Sequence, residues 1–385
     1  MRLFSAEPPL VRSFPEAVQW LEAKAPEMVR ASVRKMKDGT TAFPPQAGPG
    51  YEAFWLRDYE YVLEGCGDAI SDKELRDACK TFIHAVDKNG AGVDCVKFDG
   101  TAIYMPGYGT MGKNPVADGS IFTIEMAWQT QRRLQDKKFL TSIVDKLMLA
   151  HQGVPRNRKT GLVHIATAGF DRCPYGFTDS IRKQGDELFC SLLLIEADRH
   201  LAEMFASLDR NGEAREYAAE AELLMRTVRE TFWDEKSGLF LAASDECRQP
   251  DLWGSAFAVY TNVATKEQSQ KISRYFKVHY PEIIRNGQMR HLPGGMYWEK
   301  ASSEKDTYQN GGYWATPIGW FIYTLDLVAP KLADQTLVDM VGDFQKRGVN
   351  EWVFGEHVYT ANYLASATLP LAGARKVIER RKEIK

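Results

Sequence analysis

The chain of 385 residues contains no run of eighteen apolar residues, the length a membrane-spanning helix requires, so none is expected. Its opening stretch, MRLFSAEPPLVRSF, holds no apolar core of seven or more and makes a poor secretory signal. Cysteine is scarce and unpatterned. Cys66, Cys79, Cys95, Cys173, Cys190 and Cys247 form no CxxC pair and no framework of regular spacing. They read as reduced, mostly buried thiols of a cytoplasmic protein. The 7 histidines form no HxxxH or HExxH pair, so no zinc, no other metal and no cofactor are expected. An excess of one charge is missing too. With 49 Lys+Arg against 51 Asp+Glu the formal net charge is −2, which leaves no electrostatic footprint for nucleic acid or an anionic membrane surface.

What is present is an alternation of two kinds of helical segment. One kind is amphipathic and charge-rich, over 14–37, 71–87, 136–154, 210–234, 265–279 and 331–348. In SDKELRDACKTFIHAVD, Ser71 and Glu74 have capping-box spacing, and Leu75, Cys79, Phe82, Ile83 and Val86 mark one apolar face. The other kind is apolar or small on nearly every face, over 57–70, 117–134, 185–208, 251–264, 312–329 and 361–378. Such helices need cover on most sides. Short turns follow the apolar segments and long Gly-, Pro-, Asp- and aromatic-rich connections precede them. Six hairpins of this kind describe an all-α (α/α)6 barrel, a six-hairpin toroid of inner apolar helices ringed by outer amphipathic ones. A solenoid would show sequence self-similarity and short loops on both sides. One barrel domain over 1–385 is expected, with all six long loops on one rim.

That rim is acidic, aromatic and rich in amides. Trp55, Arg57 and Asp58 stand where the first inner helix starts, where carboxylate, guanidinium and ring together suit a sugar's hydroxyls and apolar face. Asp118 either lines the site or caps its helix. The third loop carries Tyr175, Asp179, Arg182, Asp186 and Glu187, and its aromatic setting is one that keeps a carboxyl protonated. The fifth carries Trp298, Gln309, Asn310, Tyr313 and Trp314, and the sixth Glu351, Trp352, Glu356 and His357. Either Glu351 or Glu356 faces the rim centre. Two carboxyls flanking a sugar are the minimum equipment for glycoside hydrolysis.

These residues carry a resemblance. The chain resembles the six-hairpin glycosidases, the (α/α)6 enzymes that include glucoamylase, trehalase, neutral invertase, processing α-glucosidase and exo-α-mannosidase. Trp55-Leu56-Arg57-Asp58 looks like their Trp-x-Arg-Asp sugar-holding motif. Phe177-Thr-Asp179-Ser looks like the segment that carries the acid aspartate, and Gly311-Gly-Tyr-Trp-Ala-Thr-Pro-Ile-Gly-Trp320 like their Tyr-Trp-x-Gly-Pro-x-Trp stretch. Asn350-Glu351-Trp352 falls where such families place the base glutamate. Tyr59 departs from the mannosidase pattern, which has Ser there. The resemblance covers most of the chain in architecture and about forty residues in motif.

The resemblance implies an exo-acting, inverting glycoside hydrolase of a neutral oligosaccharide. Asp179 would be the general acid, and Glu351 or Glu356 the base. Trp55, Arg57, Asp58, Asp118, Tyr175, Arg182, Trp298, Gln309, Asn310, Tyr313, Trp314, Trp352 and His357 are the candidate substrate contacts. Three alternatives stand beside it. A sugar epimerase would need a histidine pair such as His291 and His357. A uronyl-specific hydrolase or lyase would use Arg172, Arg182 and Arg290 to hold a carboxylate. A degenerate barrel would bind sugar without turnover. A monomer or homodimer is expected, with no nucleic-acid or membrane partner.

Overall fold

The computed structural model describes residues 10–166 and 173–383. Twelve long helices dominate it. Six are amphipathic: α1 (Phe14–Ser32), α3 (Asp72–His84), α5 (Lys137–Gln152), α7 (Asn211–Phe232), α9 (Lys266–Val278) and α11 (Pro330–Arg347). Six are buried along most of their length: α2 (Leu56–Cys66), α4 (Asp118–Leu134), α6 (Leu188–Ser207), α8 (Leu252–Tyr260), α10 (Ile318–Leu325) and α12 (Ala365–Glu383). The buried six close a ring. Each packs on the next, and α12 returns to α2. The amphipathic helices cover that ring from outside, with α1 bridging α11, α12 and α2. This is an (α/α)6 barrel.

Local sequence explains the ends of these elements. Ser71 Oγ accepts from the Glu74 amide while Glu74 Oε2 accepts from the Ser71 amide, a complete capping box on α3, and Thr265 with Gln268 repeats it on α9. Several inner helices are shorter than the apolar pattern suggests. Residues 312–317 precede α10 outside the helix, because Tyr313–Trp314 is a strand paired antiparallel with Asn350–Phe354, a turn follows at 315–317, and Pro317 disfavours helix before it. Ala361, where the apolar pattern starts the last inner helix, instead ends the strand His357–Ala361, the outer strand of a hairpin with Asn350–Phe354. Gly185-Asp186 is a strand paired to His164-Ile165, so α6 begins at Leu188.

The inner ring is tight. A Cβ on Gly373 of α12 would lie 2.2 Å from the Gly319 Cα of α10, so the two helices cross backbone to backbone. An aromatic stack fills the axis. Tyr175 lies 4.1 Å from Phe189, Phe189 4.9 Å from Phe257, and Tyr61 5.7 Å from Phe177, ring centre to ring centre. All six cysteines are buried free thiols. Among the described residues no helix is long and apolar enough to cross a membrane.

Candidate active site

The N-terminal ends of the inner helices meet a cavity of about 420 Å3. Five of the six long loops reach it. The first supplies Tyr51, Trp55, Arg57 and Asp58, the second Asp94 and Tyr108, the third Phe177 and Asp179, the fifth Tyr308, and the sixth Glu351 and Tyr363.

Trp55 ends the strand Ala53–Trp55, and α2 starts at the next residue, which places Arg57 and Asp58 in its first turn. Arg57 is 5% exposed, and its charge is balanced on the protein side. Its Nε donates to Asp118 Oδ2 at 2.9 Å, and its Nη2 to Asp118 Oδ1 at 3.2 Å and to Asp94 Oδ1 at 2.8 Å. Nη1 forms no hydrogen bond among the described residues. Asp118, fully buried at the first residue of α4, also accepts from the Gly176 amide at 2.8 Å. It acts on the cavity through Arg57. A Cβ on Gly176 would lie 2.0 Å from the Arg57 guanidinium carbon, so only glycine lets the guanidinium pass. Asp94 Oδ2 is fully buried, and burial raises the Asp94 pKa against the pull of Arg57 and a hydrogen bond from the Trp55 side chain.

Three more carboxyls face the same space. Asp58 Oδ1 accepts from the Tyr363 hydroxyl at 2.6 Å. Burial pushes its pKa up, Arg57 and Tyr363 pull it back, and it settles at about 6. Asp179 follows the single turn Gly176–Thr178 and accepts from Gln309 Nε2 at 2.9 Å. Gln309 is itself oriented by the amide and hydroxyl of Ser180, at 2.8 and 2.7 Å. Burial raises Asp179 to about 6 against that hydrogen bond and Arg57. Glu351 projects from Asn350–Phe354 and accepts from the Tyr51 hydroxyl at 3.1 Å. Burial raises it to about 7, with Thr360 and Tyr51 lowering it and the charges of Asp58 and Asp179 raising it. A guanidinium, the buried carboxyls of Asp58, Asp94, Asp179 and Glu351, and the rings of Trp55, Tyr108, Phe177 and Tyr308 thus line one space, with the exposed Glu52 at its edge.

The remaining sequence candidates lie elsewhere. Glu356 and His357 are exposed at the turn of the hairpin that follows Glu351. Trp352 points to the opposite face of the strand from Glu351, where it stacks 3.7 Å from Tyr359. Tyr175 is buried under the cavity, its hydroxyl 2.6 Å from that of Tyr61. Trp314 lies in the core and donates to the Tyr308 carbonyl at 3.1 Å, which fixes the backbone of a lining residue. Gln309 orients Asp179. Asn310 accepts from the Trp298 amide at 2.8 Å, and Trp298 Nε1 donates to the Gln309 carbonyl at 3.0 Å. Tyr313 packs under Arg285 at 5.2 Å. Arg182 is exposed and does not border the cavity. His291 is buried against Trp253 at 3.5 Å, and Arg290 donates to the Met296 carbonyl at 2.6 Å, so neither borders it. Arg172 lies outside the described residues. Asp94, Tyr51, Tyr308 and Tyr363 were not singled out from sequence. They sit in loop interiors or at a loop end, where no periodicity points to them.

Solved structures share the fold. A rhamnosidase from Klebsiella oxytoca with rhamnose bound superposes with a TM-score of 0.63 at 13% identity, covering 96% of this chain and 65% of that one. The GH63 mannosylglycerate hydrolase from Thermus thermophilus, in complex with glucose, gives 0.64 at 14% identity, covering 91% of this chain and 99% of that one. The chain has their (α/α)6-barrel fold. The GH78 family rhamnosidase of a Bacillus species gives 0.61 at 15% identity, covering 97% of this chain. The barrel spans 65% and 36% of the lengths of the two rhamnosidases. No protein-family model and no curated protein sequence matches the chain.

Proposed function

We propose that this barrel is an exo-acting, inverting glycoside hydrolase of a neutral sugar, with Asp179 as general acid and Glu351 as general base. The observation that carries this reading is the convergence of Asp179 and Glu351, from different loops, on the one cavity that also holds Arg57, Asp58 and Trp55. The sugar ring would lie against Trp55. Its hydroxyls would meet Asp58 and Arg57, which line the same cavity. Asp179 would give its proton to the glycosidic oxygen as the bond to the anomeric carbon breaks. Glu351 would take a proton from the water that attacks that carbon. Hydrogen bonds from Tyr51 and Thr360 favour the ionised form of Glu351, while its resting pKa of about 7 sits above the value of about 6 for Asp179. The two carboxyls influence each other, so their titration belongs to the pair, and the glycosidic oxygen beside Asp179 decides where the shared proton stays.

The fold shared with a rhamnosidase and a mannosylglycerate hydrolase supports the reaction class. The absence of His291 and His357 from the cavity lining speaks against a histidine-pair epimerase. A single-domain monomer or homodimer in the cytoplasm completes the proposal.

The test is a panel of aryl glycosides and natural oligosaccharides, with proton NMR of the first-formed anomer. Turnover lost on Asp179→Asn and on Glu351→Gln, with the anomer inverted, supports the reading. Sugar binding without turnover by the parent protein rejects it in favour of a binding barrel. Retention of configuration rejects the inverting assignment.

A further inference from the structure

Four tyrosines line the rim cavity: Tyr51, Tyr108, Tyr308 and Tyr363. The protein holds the hydroxyls of three. Tyr51 donates to Glu351 at 3.1 Å, Tyr363 to Asp58 at 2.6 Å, and Tyr108 to the Glu52 carbonyl at 3.5 Å. The hydroxyl of Tyr308 forms no hydrogen bond among the described residues, and this half-buried side chain is not sealed in the core.

The backbone of Tyr308 is fixed as firmly as its hydroxyl is not. Its φ of 45° lies in the left-handed region that a bulky residue avoids. Asp306, two residues earlier, has a φ of 64°. The loop is closed by the Asp306 amide donating to the Asn310 carbonyl at 2.9 Å and the Asn310 amide to the Thr307 carbonyl at 2.8 Å. The Tyr308 carbonyl accepts from the Gly312 amide at 3.1 Å and from Trp314 Nε1 at 3.1 Å. A Cβ on Gly312 would lie 2.4 Å from that carbonyl oxygen and 2.8 Å from the Trp352 ring, so only glycine lets the loop close this far. Strain of this kind persists where surrounding contacts over-determine it, and it gathers at active sites and ligand clamps.

Tyr308 also stands between the two arms that carry the acid and the base. The next residue, Gln309, donates to Asp179 at 2.9 Å. On the other side its ring lies 6.2 Å from that of Trp352, the neighbour of Glu351. Burial raises the Tyr308 pKa, and the charges of Asp179 and then Glu351 add to it. The phenol therefore keeps its proton and is a donor.

We infer that the Tyr308 hydroxyl contacts the sugar directly, donating a hydrogen bond to it between Asp179 and Glu351, beside the bond to be cut. The inference rests on the hydrolase reading above and adds a residue that no motif carries.

Kinetics and calorimetry of Tyr308→Phe, with 4-nitrophenyl hexopyranosides and the hexoses they release, test it. The substitution keeps the ring and is expected to melt as the parent does. The expected result is a loss of at least about tenfold in kcat/KM, with both limbs of the pH profile where the parent has them. Tyr359→Phe, on the exposed hairpin strand, leaves kcat/KM unchanged. Parent-like kinetics in Tyr308→Phe overturns the inference. So does a loss that comes with displaced pH limbs, because Tyr308 would then act through the carboxyls. A parent that binds a hexose and cleaves no glycoside rejects the hydrolase reading alone. In that case affinity for the hexose weakened at least about fivefold in Tyr308→Phe supports the contact, and equal affinity overturns it. A parent that neither binds nor cleaves any of these sugars overturns both.

Discussion

Burial lifts the carboxyls of Asp179 and Glu351 toward neutrality, and a few hydrogen bonds hold them in place, which suits the acid and base roles proposed for them. Asp179→Asn and Glu351→Gln are each expected to lower kcat by about 10^2–10^4-fold on the best substrate of the panel while leaving the fold intact. Glu356→Gln, on the exposed hairpin turn, leaves kcat unchanged. With the pair at about 6 and about 7, kcat/KM of the parent is expected to follow a narrow bell centred between those values. A plateau from about pH 5 to about pH 9 would remove this pair from the chemistry. Gly176→Ala addresses Arg57 instead. Its methyl would enter the space of the guanidinium, 2.0 Å from the carbon, and turn Arg57 off Asp118. The expected outcome is a raised KM with a smaller change in kcat, read by steady-state kinetics.

The residue scale also marks where sequence reading stops. Trp55, Arg57, Asp58, Asp179 and Glu351 were legible because each stands beside a loop–helix junction or within a short motif. Asp94 was not, because it lies inside a loop and acts by reaching across to Arg57. The prominent tryptophans misled for a definable reason. Trp352 neighbours Glu351 in sequence, yet strand alternation sends the two side chains to opposite faces, and that strand cannot be seen in an apolar-helix pattern.

Among the elements, the alternation of apolar and amphipathic helices was legible over all twelve segments, because burial on every face leaves a composition that no partly exposed helix shows. Helix starts were less so. Tertiary pairing of 313–314 and of 361 with 350–354 took residues the apolar pattern assigns to helix, and the first of those pairs joins segments about forty residues apart. Where the inner helices touch, small residues set the spacing. Gly319 and Gly373 bring α10 and α12 into backbone contact, with a Gly373 Cβ only 2.2 Å from the Gly319 Cα. Gly373→Ala therefore forces the pair apart. It is expected to cost about 1–3 kcal/mol by urea denaturation, the range for overpacking a filled core. A control, Gly342→Ala on the outer helix α11, has open space around its Cβ and is expected to be neutral or slightly stabilising.

At the scale of the whole molecule, the rim cavity stores ionisable groups where ionisation is unfavourable. Glu351 has a folded pKa of about 7, raised from an ordinary value of 4.5, chiefly by burial. For a carboxyl raised in this way the folded state binds the proton more tightly. Its contribution to stability is fully present below about pH 4.5 and is lost as pH rises through about 7. Glu351→Gln replaces it with a neutral side chain of nearly the same shape that has no such loss. Relative to the parent, the variant is expected to gain about 1–3 kcal/mol at about pH 8, and the gain shrinks to nothing near about pH 4.5. Comparing the variant with its parent at each pH cancels the opposite contribution of His151 and His200, which burial depresses to about 4 and which weaken the fold as pH falls. Thermal melts of the two proteins from about pH 4.5 to about pH 8 measure the difference. Converging curves at low pH and an inactive but more stable variant at high pH would show that the cavity is held for ionisation at a cost to the fold. Parallel curves would mean that Glu351 is not held in its unfavourable state by burial.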